Sequence, residues 1–257
     1  MSRVSELGRA WVMLAAGAAS GCLLFPAPTP MRTVEHRAID AAHPARCAVV
    51  FLPGFGDDEK TFDEHGFVAD LRARALSVDT VSAAATFGYY YKRTIVTRLR
   101  EDVFAPVLAR GYEQVWIVGI SMGGLGAVLL SRDRAPRIAG LLLLAPYLGG
   151  DAIQREITAA GGLGRWQPGP PTSEDDRELW RYLQAVTRTP DRPPTVYFGV
   201  GDQDRHRSPG PHPLAAALPP DHLFRTPGGH DWGPWRVLWE DFLDHSEFRA
   251  RCSAAPP

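Results

Sequence analysis

Only three cysteines occur in the 257 residues, with no paired C-x-x-C and no H-E-x-x-H helix, so no metal constellation is legible. There is no G-x-G-x-x-G phosphate loop. Long basic runs are missing as well, and the formal net charge is −1, which argues against nucleic acid as a partner. No reading calls for a cofactor. No stretch in the middle of the chain reads as a flexible linker, so one domain is expected. A chain this long buries a core without metal or disulfide staples. The sequence sets no oligomeric state.

What is present begins at the N-terminus. Arg3 and Arg9 precede an apolar stretch over residues 10–19 and then Ser20-Gly21-Cys22. A short basic region, an apolar core and small residues describe a secretory signal over residues 1–21. The apolar part is shorter than the roughly 20 residues of a spanning helix. Small residues leading into a cysteine resemble a bacterial lipobox, with Cys22 as the lipidated residue, although Ala19 stands where such boxes usually carry leucine. The expectation is export, either as a lipoprotein anchored through Cys22 at the periplasmic face of a membrane or as a secreted or periplasmic protein. Residues 22–30 include Pro26, Pro28 and Pro30 and are expected to form an extended tether. Cys47 and Cys252 remain, and an even number in an oxidising compartment invites pairing.

The body alternates between two periods. Strands are expected at Cys47–Leu52, 80–85, 115–120, Ile138–Leu144, 195–200 and Leu223–Thr226. Helices are expected at 67–74, 93–109, Met122–Arg132, 178–186 and 235–245. Alternation of this kind predicts an α/β fold with a mostly parallel sheet covered on both faces. The continuously apolar runs AVVFL, VWIVGI and LLLL agree, because doubly covered strands need no polar face. Ligands in such sheets bind at the carboxyl ends of the strands. Residues 149–194 break the alternation with many glycines and prolines and are expected to be a lid or cap; Trp166, Trp180 and Tyr182 suit either a pocket or a private core.

Strand 115–120 ends in Gly119-Ile120-Ser121-Met122-Gly123, with a helix following. That is the sequence form of a nucleophile elbow. A serine hydroxyl needs a base, normally a histidine oriented by a carboxylate. His230 is the choice among eight histidines, since Gly228-Gly229-His230 follows the last strand and precedes the last helix. The acid lies in Gly201-Asp202-Gln203-Asp204, after the strand TVYFGV. Asp204 is preferred, because a further loop turn lets it reach back, with Asp202 as the alternative. Asp231 is too close to His230 in sequence to orient it. Oxyanion donors are assigned to the amides of Met122 and of Phe55, the latter in Pro53-Gly54-Phe55-Gly56. Tyr90, Arg93 and Tyr147 follow strands and are candidates for substrate contact.

Together these segments resemble the α/β-hydrolase superfamily, over roughly residues 48–248 and in the family order Ser, Asp, His. The resemblance implies an α/β-hydrolase domain over 31–252, with 149–194 as the cap, and its G-x-x-D spacing independently favours Asp204. It implies a serine hydrolase cleaving a small-molecule carboxylic ester. An acyltransferase, thioesterase or peptidase with the same three residues is the alternative, and a non-catalytic surface lipoprotein a third. Two departures stand out. Many members have His-Gly where this chain has Pro53-Gly54. Only residues 31–40 precede the first core strand, so one or two early antiparallel strands are expected to be abbreviated or missing.

Overall fold

The apolar runs become neighbours in one sheet. The computed structural model describes residues 25–38, 45–133, 138–173, 175–190, 192–204 and 212–253. In chain order the elements are β1 (Thr33–His36), β2 (Cys47–Leu52), α1 (Thr61–Glu64), α2 (Phe67–Ala73), β3 (Val78–Ala83), α3 (Phe87–Tyr91) and α4 (Ile95–Arg98). A π-helical turn (Leu99–Phe104) leads into α5 (Ala105–Ala109), β4 (Gln114–Ile120), α6 (Met122–Arg132), β5 (Ile138–Leu144), α7 (Asp151–Ala159) and α8 (Asp175–Thr187). The chain closes with β6 (Thr195–Gly201), β7 (Leu223–Thr226), α9 (Trp232–His245) and α10 (Glu247–Cys252). The seven strands lie in the order β1-β3-β2-β4-β5-β6-β7. Only β1 is antiparallel, on β3; the other neighbours run parallel. That single antiparallel strand accords with the expected abbreviation at the start of the sheet.

Residues alternate across each strand, so one strand feeds two cores. Ala48, Val50 and Leu52 of β2 join one cluster with Val128 of α6 and Leu179 and Trp180 of α8. Cys47, Val49 and Phe51 join the other with Phe67 of α2 and Leu238, Trp239 and Phe242 of α9. Both faces are therefore covered, and β2, β3 and β5 are buried along their whole length.

Several boundaries differ from expectation, each for a local reason. The single helix expected over 93–109 is three pieces, because Pro106 has no N–H to continue the ladder and a π turn widens the helix just before it. The closing helix starts at Trp232, not 235. Asp231 caps it by accepting from the Trp232 amide at 2.7 Å, and Pro234 is tolerated in a first turn. Helix α7 lies unforeseen inside 149–194, where Ile153 and Ile157 supply a buried i,i+4 pair.

The insertion itself is built into the core. Trp166, Trp180, Leu179 and Leu183 are fully buried with the residues under the sheet. The Trp180 ring N–H donates to the Leu148 carbonyl at 2.8 Å, and Gln184 donates to the carbonyls of Leu163 and Trp166 at 2.7 Å each. Trp166 and Trp180 are thus core residues. Tyr182 is partly buried, its hydroxyl 2.5 Å from that of Ser131.

The tether expected over 22–30 is bound to the domain from Phe25 onward. The Tyr89 hydroxyl donates to the Pro28 carbonyl at 2.6 Å, and Asp102 accepts from the Met31 amide at 2.8 Å. The signal region over 1–21 and Cys22 lie outside the described residues. At the far end of the sheet from Ser121, Cys47 opens β2 and is disulfide-bonded to Cys252 at the end of α10.

Candidate active site

Strand β4 and helix α6 meet at Ser121, whose φ of 49° and ψ of −114° lie outside the regions a non-glycine residue ordinarily adopts. The strain is held from outside. The Ser121 amide donates to the Leu144 carbonyl and its carbonyl accepts from the Tyr147 amide, both at 2.9 Å, which ties the turn to the end of β5. The flanking glycines are steric necessities. A Cβ on Gly119 would sit 2.5 Å from the Gly123 carbonyl oxygen, and one on Gly123 would sit 2.0 Å from that of Leu52. The pattern G-x-S-x-G is therefore set by two backbone crossings, one within the turn and one against β2.

The His230 Nε2 lies 3.0 Å from Ser121 Oγ, and its Nδ1 lies 2.9 Å from Asp204 Oδ2. A carboxylate only accepts, so in the neutral imidazole the tautomer with Nδ1–H toward Asp204 presents a bare Nε2 to the serine. Asp204 is 3% exposed, so little water competes for its carboxylate. Asp202 instead pairs with Arg225 at 2.7 Å in solvent. The structure thus brings Ser121, His230 and Asp204 into one chain of contacts, and leaves Asp202 out of it.

The acid and base loops are fastened to each other. The amide of Asp202 donates to the Thr226 carbonyl and that of Gln203 to the Gly228 carbonyl, both at 2.9 Å. The Gln203 side chain accepts from the Gly228 amide. A Cβ on Gly201 would fall 2.3 Å from the Gly228 oxygen, so the loops touch backbone to backbone. Gln203 entered the sequence reading only as spacing in G-D-Q-D, and its role as a clamp had no signal in the motif.

Above Ser121 lies an open cleft walled by Gly54, Phe55, Asp57, Trp232 and Trp235. Gly54 brings the loop after β2 against the nucleophile, since a Cβ there would be 3.6 Å from that of Ser121. Phe55 follows on the exposed rim, and among the described residues no hydrogen bond takes up its amide. The Met122 amide is the first of α6, where N–H groups lack helical partners and the dipole is positive. Trp235 packs edge-on to His230 with centroids 4.9 Å apart, and Trp232 stacks on His65 at 4.3 Å. Both tryptophans were missed as site residues; their place just after a loop histidine was the available signal. Burial raises the Asp57 carboxyl above its ordinary range, while its bond to Trp232 works in the opposite sense.

Tyr90, Arg93 and Tyr147 fall elsewhere. They line a neighbouring groove with Leu125, Leu129 and Leu179, and none of them lines the cleft over Ser121. The Tyr90 hydroxyl is buried against Gly126, where a Cβ would approach it to 2.4 Å, so this side chain packs onto α6. Arg93 faces Asp175 at 4.0 Å. Tyr147 comes nearest, through its amide bond to the Ser121 carbonyl. Among the described residues of 149–194 none lines the cleft over Ser121; Gly149, Asp151 and Gln154 line a neighbouring pocket with Asp204. Of the other histidines, His212 is half-buried and pushed down to about 4 by desolvation, and His222 and His245 meet backbone carbonyls. His206 lies outside the described residues.

No family model matches this chain, and no curated protein matches it in sequence. Solved structures do. Est1E from Butyrivibrio proteoclasticus superposes with a TM-score of 0.53 at 19% identity, covering 83% of this chain and 93% of its own. An S-formylglutathione hydrolase from Agrobacterium tumefaciens gives 0.51 at 16% identity, covering 83% and 88%. Another from Staphylococcus aureus gives 0.52 at 11% identity, covering 83% and 94%. The chain has the α/β-hydrolase fold.

Proposed function

We propose that the protein is a serine hydrolase that cleaves a carboxylic ester of a small molecule. The observation that carries this is the pair of contacts at 3.0 Å and 2.9 Å linking Ser121, His230 and Asp204 beside an open cleft. Ser121 Oγ attacks the ester carbonyl as His230 Nε2 takes its proton. The amides of Met122 and Phe55 hold the oxyanion of the tetrahedral intermediate. Collapse expels the alcohol, which takes the proton from His230 and leaves an acyl-serine. Water then attacks, its proton going to His230, and the acid departs as Ser121 recovers its hydrogen. Asp204 keeps the imidazole in the required tautomer and stabilises its charged form. The two S-formylglutathione hydrolases, named as hydrolases on this fold, are consistent with it.

The test is product analysis with p-nitrophenyl esters of graded acyl length. The reading expects free acid released in step with the phenol, and no change in that ratio when an alcohol acceptor is added. Acyl transfer to the added alcohol would assign the chain to the transferase alternative. A folded protein that turns over none of the esters would contradict the reading.

We also propose export with a lipid on Cys22. Supporting it are Arg3 and Arg9 before an apolar run, the small residues leading into Cys22, and the paired Cys47 and Cys252, which suit an oxidising compartment. Mass spectrometry of the processed N-terminus is the check. An acylated Cys22 is expected, and an unmodified or uncleaved terminus in membranes would contradict it.

A further inference from the structure

Four large hydrophobic side chains are exposed among the described residues: Phe55, Tyr91, Tyr147 and Val237. Isolated cases need no explanation, but three of these gather on the side of the molecule that holds Ser121. Phe55 is the rim of the cleft, and the Tyr147 amide binds the Ser121 carbonyl. Tyr91 joins Phe55 through Phe87, with ring centroids 5.4 Å apart for Phe55 and Phe87 and 6.1 Å for Phe87 and Tyr91. Phe25 completes the cluster, at 4.9 Å from Phe87 and 5.4 Å from Tyr91.

Phe25 is also where the N-terminal segment enters the fold. From there the chain is pinned. A Cβ on Gly88 would lie 2.2 Å from the Pro26 oxygen, and Tyr89 and Asp102 hold Pro28 and Met31. Only Leu23 and Leu24 separate Phe25 from Cys22, so the three peptide steps reach at most about 11 Å even when fully extended. An anchor at Cys22 therefore cannot hold this face far from the lipid.

We propose that the face formed by Phe25, Phe55, Phe87 and Tyr91 docks on a phospholipid bilayer, with the mouth of the cleft turned toward the lipid. Aromatic side chains suit that boundary, where a ring is partly apolar and partly wet. Charges of both signs border the face, Lys92 and Arg93 against Asp57 and Asp175, so ring insertion and not charge attraction drives the contact. The orientation rests on the lipidation reading. Its consequence for substrate, an ester delivered out of the bilayer, rests on the hydrolase reading.

The test uses the processed protein purified from membranes, with a bimane label at Tyr91→Cys and, as control, at Val237→Cys. It is placed on phosphatidylcholine vesicles carrying nitroxide-labelled lipid. Quenching at position 91 is expected to exceed that at 237 several-fold and to persist in 1 M salt, which screens charge beyond about 3 Å. Equal quenching at the two positions, or loss of quenching in salt, would overturn the proposal. So would a protein that does not bind the vesicles, or a doubled mass with position 91 shielded in their absence, which would give the face to a second copy. Quenching reads depth without catalysis, so its outcome is separate from the fate of the hydrolase reading. A second readout uses Tyr91→Asp, expected to slow hydrolysis of a vesicle-embedded ester several-fold and leave a soluble short ester unchanged. Equal loss on both esters would contradict the docking role.

Discussion

At the nucleophile turn, backbone segments approach so closely that side chains are excluded. In the 149–194 insertion, side chains supply the attachment. Gly119 and Gly123 have no room for a Cβ, and Ser121 is fixed in a strained conformation by main-chain bonds to β5. The insertion is attached through the Trp180 side chain on Leu148 and through buried leucines, and is knit internally by Gln184 on Leu163 and by Glu156, which accepts from Arg177 and from the Trp166 ring at 2.8 Å each. The first arrangement tolerates almost no substitution because its tolerance is steric. The second loses stability in increments and leaves the chemistry in place.

The largest contrast is catalytic. Ser121→Ala or His230→Ala should lower kcat on a soluble ester by about 10⁴-fold or more, while Asp202→Asn, outside the chain of contacts, should stay within about twofold. Asp204→Asn should fall far closer to the first pair, and equal losses for Asp202→Asn and Asp204→Asn in steady-state assays would break the assignment. A matched glycine pair sharpens the comparison next. Gly123→Ala should cost about 3 kcal/mol or more, because the added methyl meets a main-chain oxygen at 2.0 Å. Gly164→Ala in the insertion meets nothing within 4 Å and should change the unfolding free energy in urea melts by about 0.5 kcal/mol at most.

A smaller effect is expected for Trp180→Phe, which leaves the buried Leu148 carbonyl without its donor. It should lose about 1–3 kcal/mol of stability with kcat on a short ester unchanged below the melting transition. The smallest concerns Glu156. Its bonds to Arg177, then Trp166, hold its carboxyl down to about 2 from an ordinary 4.5. The stabilisation is therefore complete above pH 4.5 and is lost as pH falls toward 2. The side chain is 44% exposed, so Glu156→Gln should cost under about 1 kcal/mol at pH 7, and the gap to the parent should close in urea melts at low pH. A gap that widens on acidification would contradict the pairing.

The same contrast explains what the sequence disclosed. Strand ends, the serine turn and the histidine loop were legible because glycine spacing and continuous apolar runs are forced by backbone approach and double burial. Asp204 was preferred over Asp202 on loop length, and the two side chains do go opposite ways, one into a 3% exposed pocket and one to Arg225 in solvent. What escaped depends on side chains meeting across long stretches of chain. Gln203 on Gly228 and Trp180 on Leu148 leave no periodic trace. Tyr90 looked like a site residue because it follows a strand, yet Gly126 opens a slot in α6 that buries its hydroxyl. In the insertion, glycines and prolines advertised a loop, while the aromatics and leucines between them are packed into the core.

The account turns on Ser121 being a nucleophile activated by His230. Treatment of the intact protein with a fluorophosphonate, followed by peptide mapping, tests this most directly. The account predicts one adduct per chain, on Ser121, with labelling abolished in Ser121→Ala and strongly slowed in His230→Ala. A folded protein that takes up no label, or one labelled at another residue at an equal rate in both variants, would contradict it.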